Sequence, residues 1–207
     1  MAGNGNILIF DLDGTIDNQS LTHEKLDSVF NAIYENFLKG GLLYVVTARR
    51  LCDFQDQFQV LKYNIPQKLI DIILHVNNNA SHRWLYYNDD LDHPQIEALK
   101  LLSKNQKIKH FENHCEKMDR HIINMSMGIQ KMIQIEEILN LAPKKQILVD
   151  SVSSNKKRVY FFDDSNDNFL AYVYYTTYIN PSMKRVSFVG GFDRAVFMDY
   201  SPSCINV

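Results

Sequence analysis

The chain's strongest constraint on fold lies in residues 7–15, Ile-Leu-Ile-Phe-Asp-Leu-Asp-Gly-Thr. Four consecutive apolar residues have no polar face to turn toward water. The run is therefore predicted to be a strand buried on both sides, as in a parallel sheet covered by helices above and below. Two carboxylates, Asp11 and Asp13, then stand where that strand leaves the sheet. In open α/β sheets ligands bind in the crevice at the carboxyl ends of the strands, so both acids fall in the expected site. Asp-X-Asp-Gly-Thr by itself also fits a turn or a calcium-binding fragment. The buried strand directly before it favours the catalytic reading.

The chain that follows alternates as an α/β sheet requires. Leu26, Val29, Phe30, Ile33 and Phe37 recur at helical spacing after Thr22, a good N-cap, and Gly40-Gly41 supplies a stop. Leu42 to Val46 reads as a second strand ending at Thr47-Ala48-Arg49-Arg50. Phe54, Phe58 and Leu61 indicate a second helix, and Leu69 to Val76 reads as a third strand. Val159 to Phe162 is another run with the look of a buried strand, again followed by acids: Asp163-Asp164-Ser165-Asn166-Asp167-Asn168. Asp, Ser and Asn also favour a turn that caps the next helix, but a second acidic cluster at a strand end suits a hard cation with oxygen ligands, for which Mg2+ is the natural choice.

The chemistry that needs such a pair of carboxylates is phosphoryl transfer through a covalent intermediate. Asp11 attacks phosphorus, and Asp13 protonates the leaving oxygen and later deprotonates water. Attack by an anion on an anion is repulsive, so the site needs a divalent cation and fixed donors around the phosphate. Gly14 lets the backbone turn sharply there. Lys131, read as the start of a helix carrying Met132, Ile135, Ile138 and Leu139, is the candidate cation; Lys117 and Arg120 are alternatives.

Composition bounds the answer further. The 207 residues, 45% hydrophobic, suffice for one good-sized core, and a single domain over 1–207 is expected. A net charge of −2 with no basic block gives no reason to expect nucleic acid. Cys52, Cys115 and Cys204 are widely spaced, which fits free thiols in a reducing, cytoplasmic compartment. No run approaches a membrane span and no signal-like start is present, so a soluble protein is expected, and a monomer.

In the order strand-Asp-X-Asp-Gly-Thr, strand-Thr, helix-Lys, strand-Asp-Asp, residues 7 to about 170 resemble the haloacid dehalogenase superfamily of aspartate-dependent phosphatases. The resemblance implies a three-layer Rossmann-like α/β fold with a central parallel sheet. It implies that Asp11 is nucleophile and metal ligand, and that Asp13 is acid/base and gives its backbone carbonyl to magnesium. Thr47 and Lys131 match the phosphate-binding threonine and the motif lysine, with further phosphate contacts from Leu12, Gly14 and Ala48. Asp163 and Asp164 match the acidic pair that completes the Mg2+ site. Either Asp167 or Asn168 is the distal member of that motif, and either Asp163 or Asp164 is the direct ligand.

Spacing bears on substrate. Only about 25 residues separate Thr15 from the second strand, and a helix uses most of them, so no large cap fits there. Residues 77–128 have room for a small helical lid or insertion, one helix beginning near Asp92-His93-Pro94 and carrying Ile96, Leu99 and Leu102. An open site admits a phosphorylated protein side chain, whereas small metabolites usually need enclosure. The chain thus resembles the nearly capless members, including eukaryotic and secreted bacterial protein-tyrosine phosphatases; for a secreted effector the compartment is the host cytoplasm. A sugar-phosphate or nucleotide phosphatase is the alternative substrate reading. A phosphate-accepting receiver-like module is the alternative of another class, disfavoured because receivers place the acidic pair first.

Other motifs carry less. Cys115 to Arg120 is one residue short of the cysteine-phosphatase loop, and His110 and His114 lack a surrounding zinc motif. The aromatic run Phe169 to Tyr178 is expected in the core rather than as a base-stacking platform, as no basic residues interleave it. Trp84, Tyr86 and Tyr87 are expected to be structural, with a role flanking the site as the alternative.

Overall fold

The computed structural model describes residues 5–17, 22–50, 65–77, 84–88, 118–141 and 158–191. Strands β1 (Ile7–Asp11), β2 (Leu42–Arg50), β3 (Leu85–Asn88), β4 (Val159–Asp163) and β5 (Val186–Gly190) form one parallel sheet in the order β3-β2-β1-β4-β5. Helices α1 (His23–Leu38), α2 (Gln67–Asn77), α3 (Met118–Leu141) and α4 (Asn166–Tyr174) flank it. The chain is thus an α/β protein. No helix among the described residues is long and apolar enough to cross a membrane.

Side-chain alternation along β1 explains why its apolar run is unbroken. Ile7 and Ile9 pack with Ile129, Met132 and Ile135 of α3 on one face. Leu8 and Phe10 pack with Val29 and Ile33 of α1 and Leu69 and Ile73 of α2 on the other. β1 and β4 are buried at every position, and Phe10 stacks on Phe162 with centroids 4.7 Å apart. Each such side chain taken from water contributes about 1.5–3 kcal/mol. α1 begins where expected, with the Thr22 hydroxyl accepting from the Lys25 N–H at 3.4 Å.

The third strand departs from expectation. Residues 69–76, read as a strand, lie in α2. So many of them are apolar that a period of two cannot be told from a helical one, but Leu69, Ile72 and Ile73 are buried at helical spacing while Asp71 is exposed. The Gln67 amide donates to Asp71 one turn on at 2.9 Å, and Lys68 pairs with Asp27 of α1. The third strand is instead β3, inside the span expected to form a lid. Trp84 and Tyr86 are accordingly core residues, Tyr86 meeting Tyr44 edge-on. The same span also gives up residues 118–128 to α3. The expected second helix (Phe54, Phe58, Leu61), the helix near Asp92, His110, His114 and the three cysteines lie outside the described residues. The run Phe169 to Tyr178 places Ala171, Tyr174 and Tyr175 in the core beside α3.

Strand order places the site. From β1 the chain moves outward to β2 and β3, then returns to β4 on the opposite side of β1. The carboxyl ends of β1 and β4 therefore flank the point where the winding reverses, the usual ligand crevice of an open α/β sheet. Phe10 is in register with Phe162, so Asp11 and Asp163 end neighbouring strands together.

Candidate functional site

Alternation decides which acids meet. Asp11 follows Ile7 and Ile9 onto the α3 face, and Asp163 follows Val159 and Phe161 onto the same face. There α3 presents Lys131, whose Nζ lies 2.7 Å from Asp11 Oδ1 and 3.0 Å from Asp163 Oδ2. All three side chains are at least 95% buried. Lys131 sits well inside α3, not at its start as expected, and belongs to the stripe that faces the sheet. Of the alternatives, Lys117 lies outside the described residues, and nothing is described of the Arg120 side chain.

Burial pushes the Asp11 carboxyl up to about 7, against the pull of the Lys131 ammonium, with the neighbouring Asp163 adding to the rise. Burial alone would lower Lys131, but Asp11 and Asp163 outweigh it and hold the ammonium above its ordinary value. The lysine is therefore the charge that makes two adjacent buried carboxylates tolerable.

Asp163 is saturated with donors. The Asn168 amide donates to both of its oxygens, at 2.9 and 2.8 Å, and the Ser165 N–H donates to Oδ1 at 2.9 Å. Ser165 also caps α4 by accepting from the Asn168 N–H at 3.4 Å. The acidic segment is thus both a helix cap and part of the cluster, and Asn168 is a residue of it whose side chain reaches Asp163. Asp164, the next residue, is exposed and meets the turn after β1. Its Oδ1 accepts from the Thr15 hydroxyl at 3.2 Å, and its own N–H donates to that same oxygen of Thr15 at 3.2 Å.

Between β1 and α1 the chain makes a tight turn over Leu12–Ile16. Gly14 has φ +77, and a Cβ there would stand 2.7 Å from Asp164 Oδ2. The left-handed backbone calls for glycine, and a Cβ there would also force the exposed Asp164 carboxylate to shift. Asp11, Asp163 and Asp164 each place an oxygen within 4.8 Å of the others, a donor set of the hard kind that suits Mg2+.

The Asp13 carboxylate stands apart from that group. Arg49 Nε donates to its two oxygens at 3.1 and 3.0 Å, and Nη2 donates to Oδ1 as well. The pair is partly exposed, so its worth is in fixing orientation rather than in stability. Thr47 is fully buried one residue past Val46, which is in register with Asp11. Its Oγ1 accepts from the Arg49 N–H at 3.2 Å, and its carbonyl accepts from the Gln134 amide at 3.0 Å. Leu12 is buried and Ala48 half-buried. Arg49 and Gln134 are the residues that sequence reasoning left without roles. Arg49 was visible only as one of two arginines after Thr47, and Gln134 had the one available signal of lying three residues past Lys131 on a helix.

No protein-family model, no curated protein and no solved structure matches this chain.

Proposed function

We propose that the chain is a Mg2+-dependent phosphomonoesterase of the haloacid dehalogenase type, acting through an aspartyl-phosphate on Asp11. The observation that carries the reading is the buried Asp11 at the switch point of the sheet, paired with Lys131 and grouped with Asp163 and Asp164. The oxygen donors fit magnesium. With every side of Asp163 taken up by Lys131, Asn168 and Ser165, the ligands to the metal would be Asp11 and Asp164, with the Asp13 carbonyl as the resemblance implies. Bound there, Mg2+ supplies charge neutralisation that lets an anionic nucleophile approach an anionic phosphate.

The chain's own groups divide the rest of the work. The Asp11 carboxylate forms a bond to phosphorus as the bond to the leaving oxygen breaks, and Asp13 gives that oxygen a proton. Asp13 then takes a proton from water, whose oxygen bonds to phosphorus, releasing inorganic phosphate and restoring Asp11. Lys131 offsets the charge gathered around Asp11. The Thr47 hydroxyl and the backbone at Leu12 and Ala48 would hold the phosphate oxygens, joined by the Gly14 N–H on giving up its bond to Asp17 Oδ1, and Arg49 holds Asp13 in a fixed orientation.

A phosphotyrosyl protein is the substrate class we favour. Most of the chain between the Leu12–Ile16 turn and β2 is spent on α1, which packs into the core through Val29, Phe30 and Ile33 and cannot serve as a cap. Steady-state assays with an aryl phosphate test the activity: turnover with Mg2+, none with EDTA. Stable phosphorylation of the protein without turnover favours the receiver-like module instead. Phosphopeptides run beside sugar phosphates and nucleotides test the substrate, and turnover of the metabolites alone overturns the protein-phosphatase reading.

A further inference from the structure

The end of β2 is irregular where it matters. Val46 pairs with Tyr86 and Arg50 with Asn88, so three residues of β2, Thr47 to Arg49, lie opposite the single Tyr87 of β3. On its other side β2 has lost its partner, since the pairing with β1 ends at Asp11 and Val46. Thr47, Ala48 and Arg49 therefore leave the ladder on both sides, in a bulge of the kind that re-aims side chains beside active sites. A backbone released in this way needs its polar groups satisfied from elsewhere.

The Thr47 carbonyl finds its partner in Gln134 at 3.0 Å. A carbonyl only accepts, so the orientation of the Gln134 amide is set. Gln134 is itself 7% exposed and lies one turn past Lys131 on the same helix. One buried face of α3 therefore carries both the cation that pairs with Asp11 and the brace that fixes the bulge. The bulge in turn carries Thr47 and Arg49, and Arg49 holds Asp13.

We infer that Gln134 is a positioning residue: by hydrogen-bonding the Thr47 carbonyl across the β2 bulge, it sets the grip of Thr47 and Ala48 on the transferring phosphoryl group. It acts through Thr47 and does not touch substrate. The inference rests on the phosphoryl-transfer reading, and it separates the site into two parts. The metal-holding acids stand at the carboxyl ends of β1 and β4, while the part of the phosphate grip made by Thr47 and Ala48 stands on β2, braced by Gln134.

Gln134→Leu and the isosteric Gln134→Glu test it, through steady-state kinetics with an aryl phosphate, inhibition by inorganic phosphate, Mg2+ titration and thermal melting. Both variants are expected to raise KM and the phosphate inhibition constant about tenfold, the size of one lost hydrogen bond. kcat should fall by less than about threefold, and the half-saturating Mg2+ concentration should stay unchanged, since no metal ligand stands on β2. A displaced α3 would instead move Lys131, so a parallel shift in Mg2+ requirement, kcat and melting temperature overturns the inference. So does an unchanged KM in an active variant. Should the leucine variant fail to fold, the glutamate variant decides by the same readings. A wild type that neither turns over aryl phosphate nor binds inorganic phosphate overturns the phosphoryl-transfer reading and this inference with it, whereas an active wild type with unaffected variants overturns this inference alone.

Discussion

Replacing Lys131 by methionine tests the charge balance of the site without reference to any substrate. Methionine keeps the length and the apolar stem of the side chain but removes the only cation within reach of both Asp11 and Asp163 among the described residues. Asp11 and Asp163 then lose the ammonium that lay 2.7 and 3.0 Å from them, so that one must take up a proton or stay charged without a counter-ion. Removing one partner of a buried ion pair costs about 3–5 kcal/mol, most of it the penalty of the charge left behind. With a urea m-value of ~2 kcal/mol/M, the unfolding midpoint should fall by about 2 M. For a domain of this size the melting temperature should fall by about 6–20 °C. Urea and thermal unfolding in EDTA measure this. Adding Asp163→Asn to Lys131→Met removes one orphaned charge and should restore part of the loss, a coupling of about 1–3 kcal/mol in a double-mutant cycle. A loss below about 1 kcal/mol for Lys131→Met, with no coupling to Asp163, would refute the claim that the lysine compensates two buried acids.

Three further outcomes follow from single contacts. Gly14→Ala forces an L side chain into φ +77 against Asp164, so it should cost about 1–2 kcal/mol in chemical denaturation and raise the Mg2+ concentration needed for activity. Gly128 lies in α3 where a Cβ would come 2.5 Å from the Ala171 Cβ and 3.0 Å from Asn168 Oδ1. Gly128→Ala should therefore cost about 1–3 kcal/mol by overpacking and, by displacing Asn168 from Asp163, lower kcat, as read by melting and steady-state assay. Mg2+ at a hundred times its dissociation constant should stabilise the wild type by about 2.7 kcal/mol, and Asp164→Asn should abolish most of that gain in a thermal-shift titration.

The parts of the fold legible in the residues were those where pattern and environment agree. β1 and β4 could be read because strands buried on both faces have no choice but to be apolar throughout, and because each run is ended by carboxylates. α2 could not, since Leu69 to Val76 is apolar at so many positions that its helical period is hidden; only Asp71 and His75, exposed and four residues apart, carried the signal. β3 escaped because it is four residues long and follows a polar stretch. In the site, Asp11, Thr47 and Lys131 were legible as types at strand ends and on a helix. The separate places of Asp163 and Asp164 were also available from alternation, because Asp163 continues the parity of Val159 and Phe161. Arg49 and Gln134 were not, since their roles depend on a bulge and on the rotation of α3 against the sheet, which local sequence does not encode.

The central claim is that Asp11 receives the phosphoryl group. Wild-type protein turning over an aryl phosphate with Mg2+, quenched in acid and digested, should yield one phosphorylated peptide, the one containing Asp11, its modification labile to base and absent from Asp11→Asn. Turnover with no phosphoryl group on that peptide, or undiminished turnover by folded Asp11→Asn, would contradict it.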